Sequence, residues 1–295
     1  MSLPEHGIEF LESIRSERGL SKNTEQAYRR DLLQYHDTIQ EHRELTPTEL
    51  VQMHLASLRD SGMVNASVAR KLASIRAYHR FVIAEGYGTE DPTSSIMSPK
   101  IPSALPKALT IDEVIRLIEA PDLSSPLGRR NRSILEVLYG TGCRVTELVT
   151  LDLHDIDFET NTAIVTGKGN RQRLVPIGSF ASASIDRWLP DRLDIRKPGH
   201  DPGSLFLTVR GNRLSRQTVW RIVEEAGSSV GIDSARLSPH VLRHSAATHM
   251  VEGGADLRTV QEILGHATLT STQIYTKISP EHLREVVLTS HPRGQ

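Results

Sequence analysis

A proline-rich stretch, DPTSSIMSPKIPSALP at residues 91–106, divides this 295-residue chain. It carries Pro92, Pro99, Pro102 and Pro106. Proline has no backbone N–H to donate and disfavours helix in the residue before it, so the stretch reads as an extended linker. Length agrees, because 295 residues exceed one ordinary domain and suit two. We place a first domain at 1–90, the linker at 91–106 and a second domain at 107–295.

The first domain reads as helices with short breaks. NTEQAYRRDLLQYHDTI opens with Asn23 as an expected N-cap and Gln26 three residues on, the pattern of a capping box. Tyr28, Leu32 and Tyr35 then recur at helical spacing. NASVARKLASIRAYHRFVIAE (65–85) sets Val68, Leu72, Ile75 and Val82 on one face. Arg76 and Arg80 share the other side, with Arg70 close by. On a lone helix such arginines are a solvated face.

The second domain is mixed. TIDEVIRLIEA and GRRNRSILEVLYGTG read as helices. TAIVTGKGNRQRLVPI has two short β-branched runs around a glycine-bearing turn, which predicts a hairpin. From about residue 213 the pattern is helical again, punctuated by Gly227, Gly231, Gly253, Gly254 and Gly265. The expected fold is therefore mainly α with a small β-sheet. A single cysteine, Cys143, excludes an intrachain disulfide framework, and no apolar run approaches membrane-spanning length. The start, MSLPEHGIEF, lacks a signal core. A cytoplasmic location is expected, with no membrane partner. A formal net charge of −1 argues against a uniformly basic surface and leaves local basic patches open.

HVLRH at 240–244 places two histidines at i and i+4, a spacing that also suits zinc. The helix is expected to begin after Ser238, with Pro239 at its first position. His240, Arg243 and His244 would share a face. A guanidinium there would sit against any metal, and no Cys, Asp or Glu lies within the turn, whereas arginine's planar fork matches phosphate oxygens. An anion site is the better reading, zinc the lesser one, and packing or surface histidines the bland one, which we accept for His249.

Further groups suited to phosphate stand elsewhere. Arg144 follows the Gly142 break near a short helix, with Glu147 placed to orient it. Lys168 lies between two glycines in TGKGNRQR. His266 follows Gly265, and Tyr275 lies shortly after. Each alone is an ordinary surface or core residue.

Taken in order, Arg144, Lys168, His240-x-x-Arg243, Gly265-His266 and Tyr275 resemble the catalytic constellation of the tyrosine recombinase (phage integrase) family, and within it the Xer recombinases. The words HVLRHSAATHM and GADLRTVQEILGHATLTSTQIYT carry the likeness most strongly, and it extends over nearly the whole chain. The resemblance implies a helical N-terminal core-binding (SAM-like) domain plus an α+β catalytic domain. It implies that Arg144 and Arg243 clamp a scissile DNA phosphate and that Tyr275 attacks it. Lys168 would protonate the leaving 5′ oxygen, with His240 and His266 assisting. No metal and no ATP would be needed. The partners it implies are double-stranded DNA bearing a dif-like site, a XerC-like recombinase in a heterotetramer, and a septal DNA translocase as activator. Arg70, Arg76 and Arg80 then become DNA contacts, and Arg216 and Gln217 in LSRQTVWRIV become readers of bases. A type IB topoisomerase and a catalytically silent DNA-binding regulator are the competing readings. The terminal SPEHLREVVLTSHPRGQ has a small apolar face (Leu283, Val286, Val287) that would either dock on a neighbouring protomer or fold back.

Overall fold

The computed structural model describes residues 2–16, 22–100, 108–167, 170–197, 199, 201–265 and 280–294. The chain forms two units, Met1–Ala104 and Leu105–Gln295.

The first unit is built on helices α1 (Gly7–Ser16), α2 (Lys22–Glu41), α3 (Pro47–Asp60) and α4 (Asn65–Ala84). α3 starts on a capping box, in which the Thr46 hydroxyl accepts from the Glu49 N–H and the Glu49 carboxylate accepts from the Thr46 N–H. The face expected on α4 is the buried one: Val68, Leu72 and Ile75 pack with Tyr35, Val51, Leu55 and Leu58. Val82 packs instead beside Phe10, Leu11, Ile14, Leu32 and Tyr78. Asn23 is not the cap of α2, because the helix already begins at Lys22. The helix starts two residues before the start that a cap at residue 23 would give.

The proline-rich stretch is not extended from its start. Residues 92–95 form a turn, with Asp91 accepting from the Thr93 N–H and hydroxyl at 2.8 and 2.6 Å. Ile96 joins the core of the first unit. Arg76 donates to the Ile96 carbonyl and, at 2.8 Å, to the Ser98 hydroxyl. The first half of the stretch thus belongs to the helical unit, because one apolar residue finds a core and one arginine finds a carbonyl and a hydroxyl. Residues 101–107 lie outside the described ones.

The second unit comprises α5 (Ile111–Glu119), α6 (Pro126–Thr141), α7 (Val145–Thr150), α8 (Ser179–Ile195), α9 (Arg216–Ser229), α10 (Pro239–Glu252), α11 (Leu257–Leu264) and α12 (Pro280–Ser290). A three-stranded antiparallel sheet runs β1 (Ile156–Asp157), β2 (Thr162–Thr166), β3 (Gln172–Pro176) in spatial order. β2 and β3 are the expected hairpin, with Val165 opposite Arg173 and Ala163 opposite Val175. β1 is only two residues long, too short to show an alternating pattern. α6 is the central helix: Ile134, Leu135 and Leu138 are wholly buried, and it packs against α8 and α10. Gly227 does not punctuate the chain but lies within α9, where a Cβ would meet Leu237 at 2.3 Å. The closeness of that packing selects glycine.

α12 folds back on its own unit. Leu283 and Val287 are buried with Met250, Val260, Ile263 and Leu264. Beyond it His291 packs on Tyr139, with ring centroids 4.6 Å apart. Arg293 bridges Glu119 at 2.8 Å and Glu136 at 3.2 Å, and its guanidinium lies over the Phe180 ring. Among the described residues no helix is long and apolar enough to cross a membrane.

Candidate active site

α6 stops at Gly142, which takes the left-handed conformation (φ 58°), and the chain turns through buried Cys143 to Arg144. Arg144 occupies the N-cap position of α7 in an extended conformation. Glu147, one turn on, accepts the Arg144 backbone N–H at 2.7 Å on Oε2 and the Arg144 guanidinium at 2.8 Å on Oε1. The other end of that guanidinium donates to the Gly265 carbonyl at 2.8 Å.

α10 begins as the sequence predicts. The Ser238 hydroxyl accepts from the Val241 N–H, and Pro239 is the first helical residue. Arg243, one turn later, is buried beside the core residues Leu242 and Ala246. It donates to the Gly142 carbonyl at 2.5 Å and to the Leu264 carbonyl at 2.6 Å. Arg144 and Arg243 therefore hold consecutive carbonyls, Gly265 and Leu264, at the end of α11. Residues 101 positions apart in sequence between Gly142 and Arg243 close onto one turn.

Two cations at such range repel. Burial pushes the Arg243 guanidinium down to about 10, and the Arg144 and Arg173 charges push the same way, against the pull of Glu147. For Glu147, burial alone would raise the pKa. The hydrogen bonds from Arg173, the Arg144 N–H and the Arg144 guanidinium win, and bring it to about 2. The carboxylate is thus ionised, wholly buried and shared between guanidiniums. Each guanidinium has five N–H groups, and the described contacts of Arg144 and of Arg243 use two apiece. Arg144 keeps 35% of its side chain exposed, which gives an incoming anion access. The arrangement suits a phosphate.

Arg173 escaped the sequence reading. It stands on β3 on the same face as Val175, opposite Val165, and so on the inward side of the hairpin. Strand alternation puts the arginines at 171 and 173 on one face, so it could have narrowed the choice to these two without separating them. Glu147 was already placed as the partner of Arg144.

His240 and His244 are both exposed on α10, and His240 lies one turn before Arg243. His249 is buried, with its Nδ1 2.9 Å from the Tyr139 hydroxyl, the packing role expected of it. Lys168, His266 and Tyr275 lie outside the described residues. Their neighbours in sequence are described: Gly167 packs against Glu147, where a Cβ would stand 3.2 Å from Oε1, and Gly265 (φ 68°) packs against Arg173.

The expected DNA contacts fall on two elements. On α4, Arg70 forks onto both oxygens of buried Asp31 at 2.6 and 3.0 Å, so much of its donor capacity is already used. Arg76 is engaged with the 96–98 turn, and Arg80 is exposed. On α9, Arg216 and Gln217 are exposed in the first turn after the Ser215 cap, and Trp220 is exposed one turn further on.

A sequence model described as the phage integrase family matches residues 107–282, and one described as the phage integrase N-terminal SAM-like domain matches residues 8–86. The tyrosine recombinase XerD of Bifidobacterium longum is 44% identical over 299 residues, with 97% of each chain covered. The solved structure of XerA recombinase matches with a TM-score of 0.51 at 29% identity, covering 98% of this chain and 99% of that one. XerH site-specific recombinase bound to a difH substrate matches with a TM-score of 0.68 at 21% identity, covering 89% and 79%, a likeness of fold. The chain belongs to the phage integrase family, the tyrosine recombinases, which are DNA strand-transferring enzymes.

Proposed function

We propose that this recombinase is of the XerD type, cutting and rejoining DNA at dif-like sites to resolve chromosome dimers with a XerC-like partner. The observation that carries the chemical part is the convergence of Arg144 and Arg243 on successive carbonyls, with buried Glu147 fixing the first. The relatives' names and the likeness to a recombinase on a difH substrate support the biological part. On this reading each unit contributes contacts to DNA.

Attack on a phosphodiester builds negative charge on its non-bridging oxygens. Preorganised guanidiniums meet that charge without reorganising, and removing one donor of this kind typically costs ~10² to 10³ in rate. Tyr275 is the proposed nucleophile. A tyrosine hydroxyl titrates at about 10, so it gives up its proton as it attacks, to an imidazole of His240 or His266. The tyrosyl oxygen bonds to phosphorus while the bond to the 5′ oxygen breaks, and Lys168 supplies the proton that oxygen needs. The product is a 3′-phosphotyrosine and a free 5′ hydroxyl. Because the phosphodiester bond is exchanged rather than hydrolysed, a 5′ hydroxyl from another strand can reverse the step without ATP. His240 and His266 assist proton transfer and hold the phosphate.

Covalent trapping tests this. Nicked duplexes carrying candidate dif-like sites are offered alone and with a XerC-like partner, and adducts are counted after denaturation in detergent. The native protein should form an adduct that Tyr275→Phe does not. An adduct with Tyr275→Phe would remove Tyr275 as nucleophile. Tight site-specific binding with no adduct would favour a silent DNA-binding role, and relaxation of supercoiled plasmid without site preference a topoisomerase.

A further inference from the structure

One guanidinium in the second unit joins three separate segments. Arg173 donates from Nη1 to Glu147 Oε1 at 2.7 Å, from Nη2 to Glu147 Oε2 at 2.9 Å, and from Nε to the Ile263 carbonyl at 2.9 Å. Its stem and Nε lie where a Cβ on Gly265 would meet them at 3.0–3.1 Å. Its side chain is only 16% exposed. The three segments are the β2–β3 hairpin, α7 through Glu147, and the last turn of α11.

Arg144 is held at two points, Glu147 and the Gly265 carbonyl. Arg173 grips the first directly and the second through the turn that ends α11. Without it, the carboxylate would be fixed only by Arg144 itself, through its N–H and its guanidinium, and the carbonyl at 265 would lose the side chain packed against it. Resting on the reading that Arg144 contacts the scissile phosphate, we propose that Arg173 is a positioning residue for the reaction, acting through Glu147 and the α11 turn to set the guanidinium of Arg144. It needs no contact with DNA to do so.

The geometry distinguishes this from a general charge effect. A planar fork reaches two carboxylate oxygens and a carbonyl at once, whereas an ammonium keeps the charge and loses the fork. Arg173→Lys is therefore the informative variant, with Arg173→Gln beside it. A displacement of about 1 Å at a reacting centre costs on the order of 10²-fold in rate, and that is the loss expected for both.

The experiment measures the initial rate of covalent adduct formation by the full chain on nicked duplexes carrying candidate dif-like sites, with duplex affinity and melting temperature measured alongside. Both variants should lose about 10²-fold in rate, while affinity and the melting temperature of Arg173→Lys stay close to those of the unaltered protein. In an Arg144→Lys background, Arg173→Lys should add no further loss, since effects on one working unit do not multiply. A native rate in Arg173→Lys, or losses that multiply with Arg144→Lys, would overturn the proposal. Failure of the unaltered protein to form any adduct would count against the catalytic reading instead. The positioning claim is then decided without DNA, by nitrogen-15 spectra of the guanidiniums. Arg144 should show slowly exchanging, rotationally hindered N–H groups that Arg173→Lys releases, and unchanged Arg144 signals would reject it.

Discussion

Glu147 is the residue on which the site's electrostatics turn. Its folded pKa of about 2 lies below its ordinary 4.5, so its ionised form is what folding favours. The stability this gives is fully present above pH 4.5 and is lost as pH falls toward 2, where the folded protein must also protonate. A shift of this size corresponds to on the order of 3 kcal/mol. Glu147→Gln should therefore be clearly less stable than the unaltered protein at neutral pH, and the gap should narrow on acidification to about pH 3. Urea unfolding at the two pH values checks this, and a constant gap would mean that the carboxylate's charge is not what matters. Glu147 and Arg144 were legible as a pair because they sit three residues apart beside a glycine break. Arg243 was legible from its place within HVLRH. Arg173 was not, because its partners are 26 and 90 residues away and nothing local distinguishes it from the arginine at 171.

At the scale of elements, helical periodicity made α4 and α10 readable, because one face of each meets a core. What periodicity misses is polar. Asp31 on α2 is 2% exposed and accepts from Arg70, Lys71 and Ser74 on α4 at 2.6–3.1 Å. Burial would raise its pKa, but the bonds from Arg70, Ser74 and Lys71 bring it below its ordinary value. Nothing in QAYRRDLLQY marks Asp31 as inward, since a charged residue beside Arg30 reads as surface. Asp31→Ala would leave the Lys71 ammonium, 11% exposed at the side chain, bonded to Gln34 but without a countercharge, and should cost roughly 3–5 kcal/mol. Pairing it with Lys71→Met should recover a large part, since the buried unpaired charge is then gone. Urea midpoints of the single and double variants decide the matter. If the double variant is no better than the single one, the network fixes the α2–α4 register by means other than charge. α12 shows the same limit. Its apolar face was visible in sequence, yet its seat depended on Met250, Val260 and Ile263 lying together, which only folding brings about.

At the scale of the whole molecule, 35 basic side chains against 36 acidic ones leave no bulk attraction for a polyanion. Affinity for DNA then has to come from where the cations stand, and many are already spent within the fold. Arg70 is on Asp31, Arg173 on Glu147, Arg293 on Glu119 and Glu136, and Arg236 on Glu113. Those that remain outward are the ones a duplex can meet, Arg80 on α4 of the first unit and Arg216 on α9 of the second among them. If both units grip one duplex, these two should report differently. If Arg80 is a backbone contact, Arg80→Ala should weaken binding alike on all sequences and flatten the plot of log affinity against log salt by about 1. If Arg216 is a base contact, Arg216→Ala should relax preference at one base pair by about 1–3 kcal/mol and leave the salt slope nearly as it was. Arg70→Ala should do less than Arg80→Ala, because its fork is held by Asp31. Titrations of the full chain on a fixed duplex and on single-base variants of it, each at several salt concentrations, read all three. A salt slope untouched by Arg80→Ala would take α4 off the duplex. A flattened slope with unrelaxed preference in Arg216→Ala would make that arginine a phosphate contact, and base reading would then have to lie with its neighbours on the α9 face, Gln217 first.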